Sequence, residues 1–250
     1  DVTALGEMLI DFAVNGESEQ GNQLFEACPG GAPCNVLAML NKLGRKTAFI
    51  GKVGDDQFGK LLRDTITNIG IEAKGLVMDQ DIHTTLAFVH TFPDGDREFS
   101  FYRKPGADMM LKEEEVDYDL IRQSKVFHFG TLSMTDEPVK TATKRALSVA
   151  KEAGCIISFD PNLRPQLWPD QAQLKAAVTE FLPCADILKL SDEELFFVTG
   201  KEHIEDAVEE LFAMGISVIL YTKGSQGAEV YTRTAHVAVS GTGKKAVDTT

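Results

Sequence analysis

Cysteine is scarce in this chain: Cys28, Cys34, Cys155 and Cys184 lie far apart and form no CxxC pair. With no matching histidine cluster, this excludes a zinc site as the organising element and predicts free thiols in a reducing compartment. Basic residues are outnumbered, 25 Lys and Arg against 38 Asp and Glu, for a formal net charge of -13. Such a surface repels phosphodiester backbones and anionic lipids, so neither a nucleic-acid nor a membrane partner is expected. No apolar run approaches the ~20 residues that a membrane helix needs, and Asp1 opens strand-like sequence without a basic, apolar leader. A soluble, cytoplasmic protein is the expectation. A Walker GxxxxGK[ST] and a strand-anchored GxGxxG are both missing, and Gly241-Thr242-Gly243 is a bare GxG. No repeat, low-complexity tract or Pro/Ser-rich linker divides the sequence, so residues 1–250 read as one domain.

What is present is alternation. Short β-rich runs at 2–10, 47–53, 126–129, 155–160, 186–190 and 217–222 are interleaved with helical patterns. Those helical patterns fall at 33–43, 57–69, 137–153, 171–182, 192–198 and 204–214. Strand and helix in alternation predict an α/β fold, a mostly parallel sheet covered by helices on both faces, with ligands at the C-terminal strand ends. One stretch breaks the rhythm. Residues 84–92 place Leu86, Phe88, His90 and Phe92 on one face at period two. Pro93-Asp94-Gly95-Asp96 then signals a turn, and 97–103 resumes with Phe99 and Phe101 on one face. This predicts a small antiparallel β lid over the sheet edge, from about 12–28 and 84–105. Its apolar face needs cover, from a ligand or from a second subunit, so a homodimer through the lid is one expectation.

Four short segments carry possible chemistry. Pro29-Gly30-Gly31-Ala32-Pro33-Cys34-Asn35 leads into a helix, where free N–H groups can donate to a ligand and Asn35 can both donate and accept. A plain loop-to-helix junction has the same composition. Asp160-Pro161-Asn162-Leu163-Arg164 closes a strand and suits hydroxyls or phosphate, or else a turn that satisfies its own backbone. Lys189-Leu190-Ser191-Asp192-Glu193-Glu194 has the Ser191/Glu194 spacing of a helix capping box. Thr222-Lys223-Gly224-Ser225-Gln226-Gly227 is a glycine-bearing turn after a strand, able to seat a nucleotide or only to turn.

Order and spacing join these segments. With Gly51-Lys52-Val53-Gly54-Asp55-Asp56-Gln57-Phe58-Gly59 and the final Val247-Asp248-Thr249-Thr250, they resemble the ribokinase-like (pfkB-type) carbohydrate kinases over the whole chain. Gly6-Glu7-Met8-Leu9-Ile10-Asp11-Phe12 and Phe101-Tyr102-Arg103-Lys104-Pro105-Gly106-Ala107-Asp108-Met109 look, within that family, like fructokinase segments. The resemblance implies a ribokinase-like three-layer sandwich that phosphorylates D-fructose at its 6-hydroxyl with ATP, Mg2+ and, as in many relatives, K+.

Residue by residue, the resemblance implies that Asp11, Gly31, Asn35, Phe101, Arg103 and Asn162 bind sugar. Arg164 would face the sugar or the transferring phosphate. Lys189, Thr222, Gly224 and Gly227 would line the nucleotide site, and Glu194 would reach Mg2+ through water, with Ser191 where many relatives have Asn. Asp248 and Thr250 would hold the monovalent cation. The family continues Asp-Thr-x-Gly-Ala-Gly-Asp, so the general base is expected after Thr250, and a chain ending there is expected to lack useful activity. The nearest rival is a kinase for 2-keto-3-deoxygluconate. Asp11 favours fructose over it, because a carboxylate accepts from a neutral ketose and repels a sugar acid. A non-catalytic fructokinase-like binding protein is the alternative from another class. A nicotinamide dehydrogenase is disfavoured by the missing dinucleotide fingerprint.

Overall fold

The computed structural model describes residues 1–91 and 97–242. The turn expected at Pro93 to Asp96 and the cation site expected at Asp248 and Thr250 lie outside the described residues.

The chain begins in the middle of its main sheet, with β1 (Val2–Leu5) buried along its whole length. The apolar run 2–10 was expected as one strand, and the structure breaks it at Gly6. β2 (Leu9–Glu17) turns away into a second sheet, pairing with β3 (Gln23–Gly30). The break was hidden because residues on both sides of it are buried, so hydropathy runs on across the bend. α1 (Ala32–Lys42) follows directly, with Pro33 in its first turn. β4 (Thr47–Gly54), α2 (Gln57–Asn68) and β5 (Glu72–Asp79) complete a βαβ unit. Asp56 caps α2 by accepting from the Gly59 N–H at 2.8 Å, and it also accepts from the Thr84 N–H at 2.8 Å. That second bond ties the start of α2 to the entry of β6 (Leu86–Thr91), which hairpins with β7 (Arg97–Tyr102).

The second half alternates more regularly. α3 (Tyr118–Arg122) precedes β8 (Val126–Gly130), followed by α4 (Val139–Glu152), β9 (Ile156–Asp160), α5 (Gln171–Phe181) and β10 (Ile187–Ser191). α6 (Asp192–Thr199), α7 (Ile204–Ala213), β11 (Val218–Thr222), β12 (Gly227–Thr232) and β13 (His236–Ser240) end the described chain.

The main sheet runs β13-β12-β11-β10-β9-β8-β1-β4-β5, parallel from β11 to β5 and antiparallel across β12 and β13. Side chains alternate between two cores. Val2, Ala4, Phe49 and Val53 pack with α1 and α2 on one face. Leu5, Ile50, Phe127, Phe129 and Phe159 pack with α4, α5, α6 and α7 on the other. The result is a three-layer α/β sandwich with a mostly parallel sheet, as the alternation of elements predicts.

The smaller sheet, ordered β3-β2-β6-β7, is mixed rather than wholly antiparallel: β2 and β6 pair in parallel, with Asp11 opposite Ala87. Each of these two strands continues from a strand of the parallel sheet, β1 or β5, so they enter side by side in one direction. From β1 the chain passes to β4 and β5 on one side, then returns to β8 on the other. A crevice therefore opens beyond the C-terminal ends of β1 and β8, the position where open α/β sheets bind ligands. Among the described residues, no helix is long and apolar enough to cross a membrane.

Candidate active site

A cavity of about 320 Å3 lies at this crevice. Its floor is built where strands end: Glu7 after β1, Leu132 after β8 and Asp160 at the tip of β9. One wall is the glycine turn into α1, which brings Gly31 and, one helical turn on, Asn35 to the cavity. The other wall is the small sheet. Period-two alternation puts Leu9 and Asp11 of β2 and Phe99 and Phe101 of β7 on the cavity side. Asn162 and Arg164 reach in from the loop after β9.

The glycines at 30 and 31 are dictated by contact. Gly31 has φ +123, and a Cβ there would lie 2.5 Å from the Glu7 carbonyl oxygen. A Cβ on Gly30 would lie 2.3 Å from Oδ2 of Asp11. The turn is thus shaped around the Asp11 carboxyl and the Glu7 backbone carbonyl. Burial pushes the Asp11 carboxyl up to about 6, with the Arg164 charge opposing the rise. Burial likewise raises Glu7 to about 7, and the nearby Asp108 charge adds to the effect.

Behind the floor runs a second polar group. Lys189 on β10 approaches Asp160 Oδ1 at 3.3 Å and Glu194 Oε2 at 3.7 Å. Asp160 is raised to about 6 by burial, with Lys189 lowering and Glu194 raising it further. The Glu194 carboxylate accepts from the Leu163 N–H on one oxygen and the Ser191 N–H on the other, both at 2.8 Å. Ser191 Oγ in turn accepts from the Glu194 N–H at 3.2 Å, completing the capping box. Thr222 ends β11, beside Lys189's strand, and its hydroxyl points to the Leu190 carbonyl at 3.4 Å. Gly224 and Gly227 bound the turn from β11 to β12.

The model of the pfkB family of carbohydrate kinases matches residues 1–250. Fructokinase-2 of Solanum lycopersicum is 44% identical, over 100% of this chain and 77% of its own. The chain belongs to the pfkB family of carbohydrate kinases. Among solved structures, fructokinase of Vibrio cholerae O395 with fructose, ADP and calcium superposes with a TM-score of 0.88. It is 32% identical and matches 100% of this chain and 79% of its own. Fructokinase of Xylella fastidiosa with bound ATP gives a TM-score of 0.84 at 33% identity, over 95% and 76% of the two chains.

Most of the sugar-side residues expected of a pfkB kinase meet at the one cavity: Asp11, Gly31, Asn35, Phe101, Asn162 and Arg164. Arg103 does not. It was expected to close over the sugar from the lid, but its guanidinium is buried behind the wall. There it donates to Asp108 at 2.7 Å, to Thr135 Oγ1 at 3.0 Å and to the Leu132 carbonyl at 2.8 Å. On a continuing strand, residues two apart share a face, so a motif that lists Phe101 and Arg103 together does not disclose that the strand ends at Tyr102, between them.

Among the lining residues given no site role from sequence, Glu7, Phe99 and Asp160 carry the polar and aromatic side chains. Phe99 had its signal in the two-residue alternation with Phe101. Asp160 stood in the strand-closing segment Asp160 to Arg164, and Glu7 had only its place just beyond the end of a strand. Phe99 also meets Arg164, whose guanidinium carbon stands 5.7 Å from the ring centroid and so bridges the small sheet to the β9 loop.

Proposed function

We propose that this kinase transfers the γ-phosphoryl group of ATP to the 6-hydroxyl of D-fructose, giving fructose 6-phosphate and ADP. The observation that carries the reading is the Asp11 carboxylate, held by the glycine turn in a sugar-sized cavity at the strand ends. A carboxylate there accepts hydrogen bonds from the hydroxyls of a neutral ketose. Asn35, Asn162 and the Gly31 backbone complete the polar contacts, and Phe101 covers an apolar ring face. Solved fructokinases of similar fold bind fructose with ADP, or ATP, which supports the same ligands here.

ATP lies along the adjoining polar group, held by Lys189, Thr222 and the Gly224 to Gly227 turn. Both Glu194 oxygens already accept backbone N–H bonds. Glu194 therefore suits an outer, water-mediated position toward Mg2+ rather than direct ligation. Bound Mg2+ supplies positive charge against the phosphates. Arg164 stands on the sugar side of the same loop and steadies the transferring phosphoryl. In the transfer, the sugar O6–P bond forms, the bond from phosphorus to the β,γ-bridging oxygen breaks, and the hydroxyl proton leaves to a general base.

Residues 1–250 work in this reading as one kinase domain, with the small sheet, from about 12–28 and 84–105, as its lid. The side of that sheet away from the cavity carries Phe12, Phe25, Phe88 and Tyr102 in mutual ring contact. Tyr102 is 66% exposed and Phe25 42%. We therefore place a homodimer contact on this face, testable by sedimentation of wild type against Tyr102→Lys.

The substrate assignment is tested by steady-state assays of the full-length gene product on fructose, other hexoses and 2-keto-3-deoxygluconate. Preference for the sugar acid would move the assignment to that kinase. Binding without turnover of any sugar would make the protein a non-catalytic sugar binder.

A further inference from the structure

The N–H of Ala32, the first residue of α1, is one of those that a helix start leaves without an intrahelical acceptor. Helix N-termini are usually closed by a Ser, Thr, Asp or Asn at the N-cap. Here the N-cap is Gly31, which has no side chain to offer and tolerates none, given its φ of +123 and its contact with the Glu7 backbone. The missing acceptor comes from elsewhere in the chain: Oε1 of Glu7 accepts from the Ala32 N–H at 3.0 Å. Glu7 thus bounds the turn twice: its carbonyl oxygen leaves no room for a side chain at 31, and its carboxyl holds the Ala32 N–H. Gly31 and Asn35, which line the cavity, hang from this clamp.

We propose that Glu7 is a positioning residue of the sugar pocket, fixing the Gly31–Ala32 turn so that Gly31 and Asn35 are aimed at the sugar. The inference rests on the sugar-kinase reading of this cavity. Glu7 is 3% exposed. The charges around it come from three elements. Asp108 and Arg103 lie behind it in the segment after β7, Cys34 lies on α1, and Asp11 lines the same cavity from β2. In that setting burial holds the carboxyl neutral up to about pH 7. An acceptor oxygen with the reach to stand 3.0 Å from the Ala32 N–H is what the clamp requires of residue 7.

The test separates reach from charge in the full-length enzyme. Glu7→Asp keeps the acid and shortens the side chain by one methylene; Glu7→Gln keeps the length and an acceptor oxygen without the acid. Amide exchange over residues 31–36, read without substrate, is expected to quicken at least ~10-fold in Glu7→Asp and to stay within ~3-fold of wild type in Glu7→Gln. For the sugar that wild type phosphorylates best, KM is expected to rise at least ~10-fold in Glu7→Asp, with kcat within ~3-fold. Glu7→Gln should recover most of that loss. Wild-type exchange and KM in Glu7→Asp, or a Glu7→Gln variant as impaired as Glu7→Asp, would overturn the proposal. The exchange arm needs no turnover, so a wrong sugar assignment leaves it intact. Conversely, a failed clamp leaves the wild-type substrate panel unchanged.

Discussion

Oδ2 of Asp11 stands 2.3 Å from where a Cβ of residue 30 would project, so the carboxylate and the glycine diagonal to it on β3, the partner of Leu9, share one space. A methyl group at 30 must turn the carboxylate out of that space. The backbone of Gly30 needs no unusual φ, so the fold can accept alanine while the pocket cannot. Gly30→Ala is expected to lower kcat/KM for fructose at least ~10-fold, the scale of a lost hydrogen bond to a charged acceptor. The melting temperature should move by only a few degrees. Kinetics and a thermal melt on one preparation check both. Full activity would show that Asp11 does not need its present rotamer.

Replacing Asp11 itself tests which sugar the pocket serves. Asp11→Ala removes the acceptor for hydroxyls and also the charge that repels a sugar acid. Two like charges ~4 Å apart repel by about 4 kcal/mol at an effective dielectric of 20, before Arg164 offsets part of it. The variant is expected to lose at least ~10-fold in kcat/KM on fructose, and less, or nothing, on 2-keto-3-deoxygluconate. Equal losses on both substrates would count against a charge-based choice of sugar.

His128 gives a pH signature of stability. It is buried on β8 with Nδ1 at 3.0 Å from Ser158 Oγ, and burial, with Lys189 nearby, lowers its pKa to about 4. The folded state therefore holds it neutral where the unfolded chain, near 6.5, is already taking up a proton. Its contribution is present above pH 6.5 and is lost as pH falls toward 4, by on the order of 3 kcal/mol. Glu7, Asp11 and Asp160 act the opposite way, because their raised values favour the protonated folded form as pH falls. The difference between wild type and His128→Asn isolates the histidine. In urea titrations, the wild type's advantage at pH 7 should shrink or reverse at pH 4.5. A difference constant across that range would mean that His128 is charged in the fold.

The alternation of short β-rich runs with helical patterns was enough to read the parallel layers, since α1, α2 and α4 to α7 each begin within two residues of their expected starts. What hydropathy could not register was the end of β1 at Leu5, because Met8 and Ile10 beyond the bend are as buried as Ala4 before it. β5 was missed as well: Glu72, Lys74 and Gly75 dilute a strand that lies at the edge of the sheet. At the site, motif residues that point into the cavity were legible through the family resemblance. Arg103 was not, because its role turns on Asp108 and Leu132, partners that only the fold brings together.

Lys189 is the seam between the two halves of the site, and its replacement should separate positioning from stability. Its ammonium lies between the Asp160 and Glu194 carboxylates, with about a third of the side chain exposed. Asp160 belongs to the sugar cavity, while Glu194 anchors the Leu163 N–H and the start of α6. Lys189→Met leaves the two carboxylates facing each other and takes a positive charge from beside the proposed nucleotide site. Stability should fall through that repulsion, and KM for ATP should rise at least ~10-fold, with KM for fructose changing less. Adding Asp160→Asn keeps an acceptor oxygen for the Asn162 N–H and removes the repulsion. The double variant should regain thermal stability and keep the high KM for ATP. Should KM for ATP stay within twofold of wild type in the single variant while its melting temperature drops, Lys189 would be only a structural counter-ion, and the nucleotide would lie elsewhere.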